Sequence, residues 1–331
     1  MATDVPDDLW LLDAHCDSMG TRFVLGDPLN LSPVERDYHV TLPRMSEGRI
    51  RAVCAMVGEG ELQQSLGIID GVYETCAAHP DEMAVCRSAA QVREAVAAGR
   101  LAVIMTIEGQ SMFGERVEQV RNWQRLGVCI YNLTHGEGTA KKPGALQVSL
   151  SHFGYLSPQE RDALRRESKG LTDFGRQAVA EMGRIGVPCD LAHANDVAFW
   201  EVIENGTGPV CVTHGSCAAL CPHTRNLTDD MLRALAERGG VIGVCFYGPF
   251  IDSEAPTLER YVDHVMHALE LTGEDGVGIG TDFDGVPEGA FMAVPEPSRM
   301  GDLWEALDRR GVSREAMVKI AHENFLRLLP R

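Results

Sequence analysis

The stretch Leu101–Glu108 reads LAVIMTIE, a nearly continuous apolar run that ends in a glutamate. Parallel strands that helices cover on both faces have this kind of sequence. Seven further segments share the pattern, and most of them also end in or beside a histidine or an aspartate. These segments are Leu11–Asp17, Arg51–Val57, Val128–His135, Val187–His193, Pro209–His214, Gly240–Tyr247 and Gly276–Asp282.

Helical stretches separate the eight candidate strands, and some helix ends are marked by capping residues. Thr172 or Asp173 can cap a helix that Gly186 stops, Thr228 can cap the next one, and Ser313 can cap the last. Alternating strands and helices imply a parallel sheet, and eight such units imply closure. The sequence therefore predicts an α/β fold, a single (β/α)8 barrel of the TIM type that covers the whole chain.

The main alternative is a doubly wound open sheet. That fold would need a glycine-rich phosphate loop after an early strand, and the sequence does not contain one. Gly276-x-Gly278-x-Gly280 precedes a strand end rather than a helix, so it imitates such a loop only weakly.

Composition narrows the function classes. The 331 residues carry a net charge of −18, which disfavours non-specific nucleic-acid binding. The first ten residues do not resemble a signal peptide, and no apolar run approaches membrane-spanning length. Ten cysteines form no C-x-x-C pair, and several lie in strand-like runs as small hydrophobes. We expect a cytoplasmic protein that binds neither nucleic acid nor membranes.

The ionisable residues at the strand ends suggest a metal centre, because the active site of a β/α barrel lies at the C-terminal ends of its strands. His15 and Asp17 are two residues apart, so in a strand they point to the same side and can hold one cation together. Glu108 can bridge two cations through its two oxygens. Taken alone, the first pair also fits a polar turn, and Glu108 also fits a helix cap.

His193 and His214 end consecutive strands, the fifth and the sixth. Either one alone is typical of a core histidine with satisfied hydrogen bonds. Two imidazoles at equivalent heights on adjacent strands favour a shared ligand role, and neutral imidazole is a good zinc ligand. Together with His15, Asp17 and Glu108, they have the residue types of a two-metal hydrolytic centre.

Three further residues have candidate roles in catalysis or substrate binding. Asp282 lies at the rim and can accept and donate a proton, with Asp284 as the competing candidate. His135 ends the fourth strand and can stabilise an oxyanion. Arg225 suits a substrate carboxylate, and its alternative is a surface salt bridge to Asp229.

The ordered motifs DAHCD, IEG, NLTH, DLAHA, THGS, TRNLTDD, GIGTDFDG and ENFLRLL resemble the membrane (renal) dipeptidase family, peptidase family M19, over nearly the whole chain. The resemblance implies a metallo-dependent hydrolase barrel that cleaves dipeptides with a hydroxide activated by two zinc ions per chain. His15 and Asp17 would then hold one zinc ion, His193 and His214 the second, and Glu108 would bridge both.

The same resemblance implies that His135, Arg225 and Asp282 face the substrate, with Asp282 handling the proton. Family members are usually homodimers, which we also expect here. The type members are lipid-anchored outside the cell, and we do not transfer that location. The chain departs from the family at Cys16 and at Glu137. Glu137 lies in the connection after the fourth strand, whose length is typical of lids.

Two other functions remain open. A lactonase, deaminase or phosphoesterase on the same barrel commonly has H-x-H on strand one and a bridging lysine on strand four, whereas this chain has His15-x-Asp17, and Lys141-Lys142 fall beyond the strand. A non-catalytic, ligand-binding barrel would be favoured by loss of Glu108 or Asp282, and both are present.

Overall fold

In the computed structural model, which describes residues 5–58, 61–109, 111–132, 134–135 and 154–330, all of the named strands join one parallel sheet. Each of the eight predicted segments overlaps one strand, so the predicted barrel pattern is confirmed. The strands are β1 (Leu11–Cys16), β2 (Ile50–Gly58), β3 (Met83–Val85), β4 (Leu101–Glu108), β5 (Val128–Asn132), β6 (Cys189–Asp190), β7 (Val210–Gly215), β8 (Val241–Cys245) and β9 (Val277–Gly280).

The strand that the sequence did not predict is β3. Its three residues are too few to show a strand pattern, and only Met83 is buried. β3 pairs with β4 at Leu101–Val103, whereas β5 begins to pair with β4 at Met105. The short strand therefore covers the start of a β4 edge that β5 does not reach.

The other strands follow the order β1-β2-β4-β5-β6-β7-β8-β9, and the first and last strands meet. The backbone N–H of Asp282 donates to the carbonyl of His15 at 3.1 Å, and the N–H of Asp17 donates to the carbonyl of Phe283 at 3.0 Å. A buried carboxylate reinforces this seam, because Asp13 accepts from the backbone N–H and the hydroxyl of Thr281. The seam brings the ends of β1 and β9 together at the rim.

Helices separate most of the strands. The α-helices are α1 (Ser18–Leu25), α2 (Leu42–Glu47), α3 (Leu62–Ala78), α4 (Ala89–Ala97), α5 (Val117–Arg125), α6 (Pro158–Glu167), α7 (Asp173–Ile185), α8 (Asp196–Asn205), α9 (Asp229–Glu237), α10 (Gly248–Ile251), α11 (Leu258–Thr272), α12 (Met300–Arg309), α13 (Arg314–Val318) and α14 (Asn324–Leu326). A π-helical segment, Lys319–Glu323, joins α13 to α14.

The predicted helix caps are confirmed. The Thr172 hydroxyl accepts from the third residue of α7, and Gly186 ends that helix at φ 73°. Thr228 caps α9 and Ser313 caps α13 in the same way. The run of α13, the π-helical segment and α14 begins at Arg314, directly after the Ser313 cap.

All ten cysteines are free and buried, which confirms their interpretation as small hydrophobes. The thiols of Cys217 and Cys221 donate to backbone carbonyls, those of His264 and Pro249.

None of the helices in the described part of the chain combines the length and apolar character needed to cross a bilayer. The features expected at residues 136–153, which include Glu137 and Lys141-Lys142, lie outside the described residues.

Candidate metal centre

Five predicted metal ligands converge on the C-terminal rim of the barrel. His15 lies in β1, Glu108 is the last residue of β4, and His214 lies in β7. Asp17 directly follows β1 as the N-cap of α1, and His193 comes three residues after β6. Residues that are up to 199 positions apart in the chain therefore share one site.

Glu108 lies at the middle of this group. Its Oε2 is 3.3 Å from His15 Nε2, which is itself 3.4 Å from Asp17 Oδ2. Its Oε1 is 2.9 Å from His193 Nε2 and 3.4 Å from His214 Nε2. Each carboxylate oxygen therefore faces a different set of donor atoms, as expected of a ligand that bridges two cations.

Two of the central atoms lack ordinary partners. His15 Nε2 and Glu108 Oε1 are buried, and although each has polar neighbours within 3.4 Å, neither makes a hydrogen bond of good geometry among the described residues. Buried polar atoms are almost always hydrogen-bonded, so such exceptions require an explanation. Imidazole nitrogens and carboxylate oxygens are the donor atoms that zinc takes in proteins, and the residues present therefore fit a zinc site.

Hydrogen bonds behind the site fix the tautomer of His214. The Thr213 hydroxyl donates to Asp190 Oδ2 at 2.6 Å, and it lies 3.0 Å from His214 Nδ1. Because its one proton goes to Asp190, the hydroxyl accepts from His214 Nδ1–H. His214 Nε2 then presents a lone pair to the centre, 3.0 Å from His193 Nε2. Such an orienting partner is typical of metal-binding histidines.

The protonation of the histidines divides the centre into two halves. Burial lowers the pKa of His193 to about 3 and that of His214 well below its usual range, so both are neutral. Burial also acts to lower the pKa of His15, but the charges of Glu108 and Asp17 outweigh it and raise that pKa. A positive charge is therefore stabilised between the two carboxylates, and a cation is favoured there.

Asp282 lies beside the same centre. It follows β9 by two residues, and its Oδ1 is 3.9 Å from His15 Nε2. Burial, together with the nearby negative charge of Asp17, raises the pKa of Asp282 to about 7. Asp282 thus has the position and the acidity of a group that can both accept and donate a proton.

The backbone at the centre is unusual. His193, Asp282 and Asp284 all have φ 64°, a left-handed conformation that residues with a side chain seldom adopt. Each such residue costs about 1–3 kcal/mol, and the surrounding structure must enforce it. Strain of this kind concentrates at functional sites, and here it falls on two of the predicted site residues.

Asp284, the competing candidate for Asp282, also lines the cavity at the centre, but its carboxylate is engaged in hydrogen bonds to neighbouring segments. Its carboxylate accepts hydrogen bonds from the Ser18 hydroxyl at 2.6 Å and from the backbone N–H of His39 at 2.7 Å. It therefore fastens α1 and the segment around residue 39 to the rim. The next residue, Gly285, lies so close to the ligands that an added Cβ would be 2.1 Å from Asp17 Oδ2.

Arg225 is buried next to the centre, and the alternative of a surface salt bridge to Asp229 is wrong. Its guanidinium donates to the carbonyl of His214 at 3.2 Å and lies 5.3 Å from the centre of the Phe250 ring. Its Nε is buried without a partner among the described residues. Asp229 bonds to His267. Arg225 therefore retains donor capacity beside the site.

A cavity of about 320 Å³ opens onto these residues. Asp17, Glu108, His135, His193 and Asp282 line it, and the His135 and His193 rings are 4.8 Å apart. The sequence prediction did not find the apolar and aromatic wall of this cavity, or the carboxylates behind the ligands. Asp13 could have been found from the sequence, because it lies two residues before His15 on the same strand and such residues point to the same side. The missed wall residues are Thr21, Met56, Tyr247, Phe250, Gly285, Val286 and Pro287.

Known proteins resemble the chain over its full length. The sequence model of a family described as membrane dipeptidase (peptidase family M19) matches residues 1–331. The dipeptidase tcpJ of Claviceps purpurea is 31% identical over 309 residues, which cover 88% of this chain and 68% of that protein. The dipeptidase verJ of Clonostachys rogersoniana is 30% identical and covers 99% of this chain and 84% of its own length.

A solved structure agrees with these sequence similarities. The metallopeptidase of Rhodobacter sphaeroides, bound to a phosphinate mimic of the dipeptide L-Ala-D-Ala, superposes with a TM-score of 0.83. The two chains are 25% identical, and the match covers 96% of this chain and 98% of the other. The barrel architecture predicted from the sequence is therefore that of known metallo-dependent hydrolases.

Proposed function

This chain belongs to the membrane dipeptidase family, peptidase family M19, and we propose that it hydrolyses dipeptides with two zinc ions per chain. Family membership makes the protein a peptide-bond hydrolase of the metallopeptidase type. The proposal of two zinc ions rests on the position of Glu108. Its two buried oxygens face separate groups of donor atoms. A single-metal site would not need this division.

In the proposed centre, His15 and Asp17 would hold one zinc ion, His193 and His214 would hold the other, and Glu108 would be shared between the two. Bound zinc lowers the pKa of water and polarises a carbonyl group, so it supplies both nucleophile and Lewis acid. The chain's contribution is to hold the ligands in fixed positions. Asp190 and Thr213 do so for His214, and Asp13 does so for the end of β1.

The residues around the zinc ligands carry the proton and the developing charge. Asp282 Oδ1 takes the proton of the attacking water and passes it to the leaving amine, for which a pKa of about 7 is suitable. His135, which lines the cavity beside His193, donates a hydrogen bond to the carbonyl oxygen as negative charge develops on it.

Arg225 binds the C-terminal carboxylate of the dipeptide in this proposal. Its buried guanidinium has unused donor capacity, and its planar fork suits a carboxylate. A substrate with a third residue would not present its carboxylate at this point. The expected preference is therefore for dipeptides.

Arg225→Ala is expected to raise KM at least about tenfold for free dipeptides and to have little effect on the same dipeptides amidated at the C-terminus. The reason is that only the free carboxylate loses its charged partner, and hydrogen bonds to charged groups contribute about 1.5–3 kcal/mol. Steady-state kinetics on both substrate sets measures this. Arg225→Lys serves as the matched control, since it keeps the charge and loses the fork. Equal losses on both substrate sets would show that Arg225 does not bind the carboxylate.

The proposed function as a whole is tested by metal analysis combined with a substrate panel. Zinc-loaded protein is expected to contain about two zinc ions per chain and to hydrolyse dipeptides, with activity that a chelator removes and zinc restores. Lactones and phosphotriesters in the same panel test the other amidohydrolase chemistries. Turnover of those esters without turnover of dipeptides would contradict the dipeptidase function and indicate an esterase instead. Fewer than about one zinc ion and no turnover after zinc addition would favour a binding role.

Three further properties belong to the proposal. We propose one catalytic domain over residues 1–331, because strands from Leu11 to Gly280 join a single sheet. We propose a cytoplasmic location, which ten free, buried cysteines support because disulfides are rare in reducing compartments. The proposed homodimer rests on the family resemblance, and light scattering after gel filtration measures it.

A further inference from the structure

A second cavity, of about 220 Å³, lies between α1 and α3 beside the metal cavity. We propose that this cavity, the α1–α3 groove, holds the side chain of the dipeptide's N-terminal residue, and that the enzyme therefore favours dipeptides that begin with a large apolar residue. The inference rests on the proposed dipeptidase function and specifies its substrate class.

The walls of the groove are mainly apolar, with Thr21 and Gln64 as the polar residues among those that line it. Val24, Leu25 and Ile68 contribute aliphatic side chains, and no charged side chain is among its lining residues in the described part of the chain. Val24 and Leu25 are 58% and 46% exposed, which is costly for aliphatic groups unless something covers them. A contiguous exposed apolar surface of this kind commonly marks a binding site.

The groove adjoins the catalytic cavity. Thr21 and Met56 line both of them, so Met56 stands between the groove and the metal ligands. Gly20 makes this arrangement possible, because a Cβ there would be 2.9 Å from the Met56 carbonyl oxygen and 3.0 Å from its Cε. Methionine is flexible and adapts to irregular space. Movement of the Met56 side chain would therefore let an apolar side chain of the substrate extend into the groove.

The barrel's geometry decides which substrate residue reaches the groove. Arg225 follows β7, whereas α1 follows β1 and α3 follows β2. In the closed strand order, β2 and β7 are four places apart in either direction, so they lie on opposite sides of the rim. With the C-terminal carboxylate at Arg225 and the scissile bond at the metal ligands, the N-terminal residue lies on the groove side.

The experiment compares kcat/KM for two sets of dipeptides, X-Ala and Ala-X, with X as Gly, Ala, Val, Leu, Met and Phe. For the wild type, Leu-Ala is expected to exceed Gly-Ala by about tenfold or more, which is typical of an apolar pocket that gains several methylene groups. Leu25→Asp is expected to lower the ratio of Leu-Ala to Gly-Ala about tenfold, since a carboxylate would then line the groove. Met56→Ala is expected to move the optimum towards Phe-Ala.

Leu66→Asp is the matched control. Leu66 is 40% exposed on α3 but does not line the groove, so this change is expected to leave the Leu-Ala to Gly-Ala ratio within about twofold of the wild type. A flat wild-type profile across X-Ala, or an effect of Leu25→Asp confined to Ala-X, would overturn the inference. The inference would also be overturned if Leu25→Asp and Leu66→Asp changed the Leu-Ala to Gly-Ala ratio equally and both converted a dimer to a monomer. That result would assign the surface to a second copy of the chain.

The experiment distinguishes a failure of the groove inference from a failure of the proposed dipeptidase function. If the wild type cleaves Gly-Ala and Ala-Ala with zinc but shows no preference among larger N-terminal residues, the groove inference fails and the dipeptidase function stands. If the zinc-loaded wild type cleaves no member of either set, both fail. Because Gly-Ala offers no side chain to the groove, it reports on the metal centre alone.

Discussion

Asp282→Asn is expected to retain zinc and to lose about 10²–10⁴-fold in kcat, as for removal of a general acid and base. The carboxylate lies 3.9 Å from His15 Nε2, lines the cavity, and has a pKa of about 7 because it is buried beside Asp17. An asparagine has nearly the same shape but cannot take the proton of the attacking water. Dipeptide kinetics and metal analysis on the same preparation measure the two effects separately.

Asp284→Asn provides the matched control for this prediction. Asp284 has the same φ of 64°, but its carboxylate accepts hydrogen bonds from Ser18, His39 and Val40. The expected result is a lower unfolding temperature with a loss of kcat far smaller than that of Asp282→Asn. If the two variants lost kcat equally, or if Asp282→Asn also lost its zinc, Asp282 would not be the proton carrier.

Glu108→Gln is expected to have the second largest effect, with loss of zinc and of at least about 10²-fold in activity. Even residues that only orient metal ligands cost about 10–100-fold when they are changed, and Glu108 faces both groups of ligands directly. Glutamine offers a single oxygen and no charge, so it cannot satisfy both halves of the centre. Zinc content by mass spectrometry and dipeptide turnover are the primary measurements.

Thermal unfolding gives a readout of Glu108→Gln that does not depend on activity. A metal that binds only the folded chain stabilises it by about 2.7 kcal/mol at one hundred times its Kd. The wild type is therefore expected to gain stability on zinc addition, and Glu108→Gln is expected to gain little. Glu181→Gln, which removes a carboxylate paired with Arg121 and Arg184, should respond to zinc like the wild type. An unchanged zinc response in Glu108→Gln would contradict the bridging role.

The barrel strands differ in how well the sequence predicted their limits. Leu101–Glu108 was predicted and found with the same bounds, because all eight of its residues are buried in a long strand. Val187–His193 was predicted as one strand, but only Cys189–Asp190 is paired, and His193 has a left-handed backbone. Sequence pattern detects burial and apolar character, and it cannot detect the point at which the backbone leaves the sheet.

The same distinction applies to His15 and Asp17. The sequence predicted that both would point to one side because both were placed in a strand. In the structure β1 ends at Cys16, and Asp17 is the N-cap of α1, yet its carboxylate still lies 3.4 Å from His15 Nε2. The two residues therefore meet through the turn from β1 into α1, and the expected geometry was reached by a different backbone path.

Sequence alone determined the number and order of the barrel strands and the ionisable residue that ends most of them, because both follow from local apolar pattern and residue type. Tertiary structure decided how the two oxygens of Glu108 divide between donor groups, which nitrogen of His214 faces the centre, and that Arg225 is buried. It also decided that Thr21 and Met56 border both cavities. These features depend on contacts between separate strand–helix connections, and such contacts exist only once the barrel has closed.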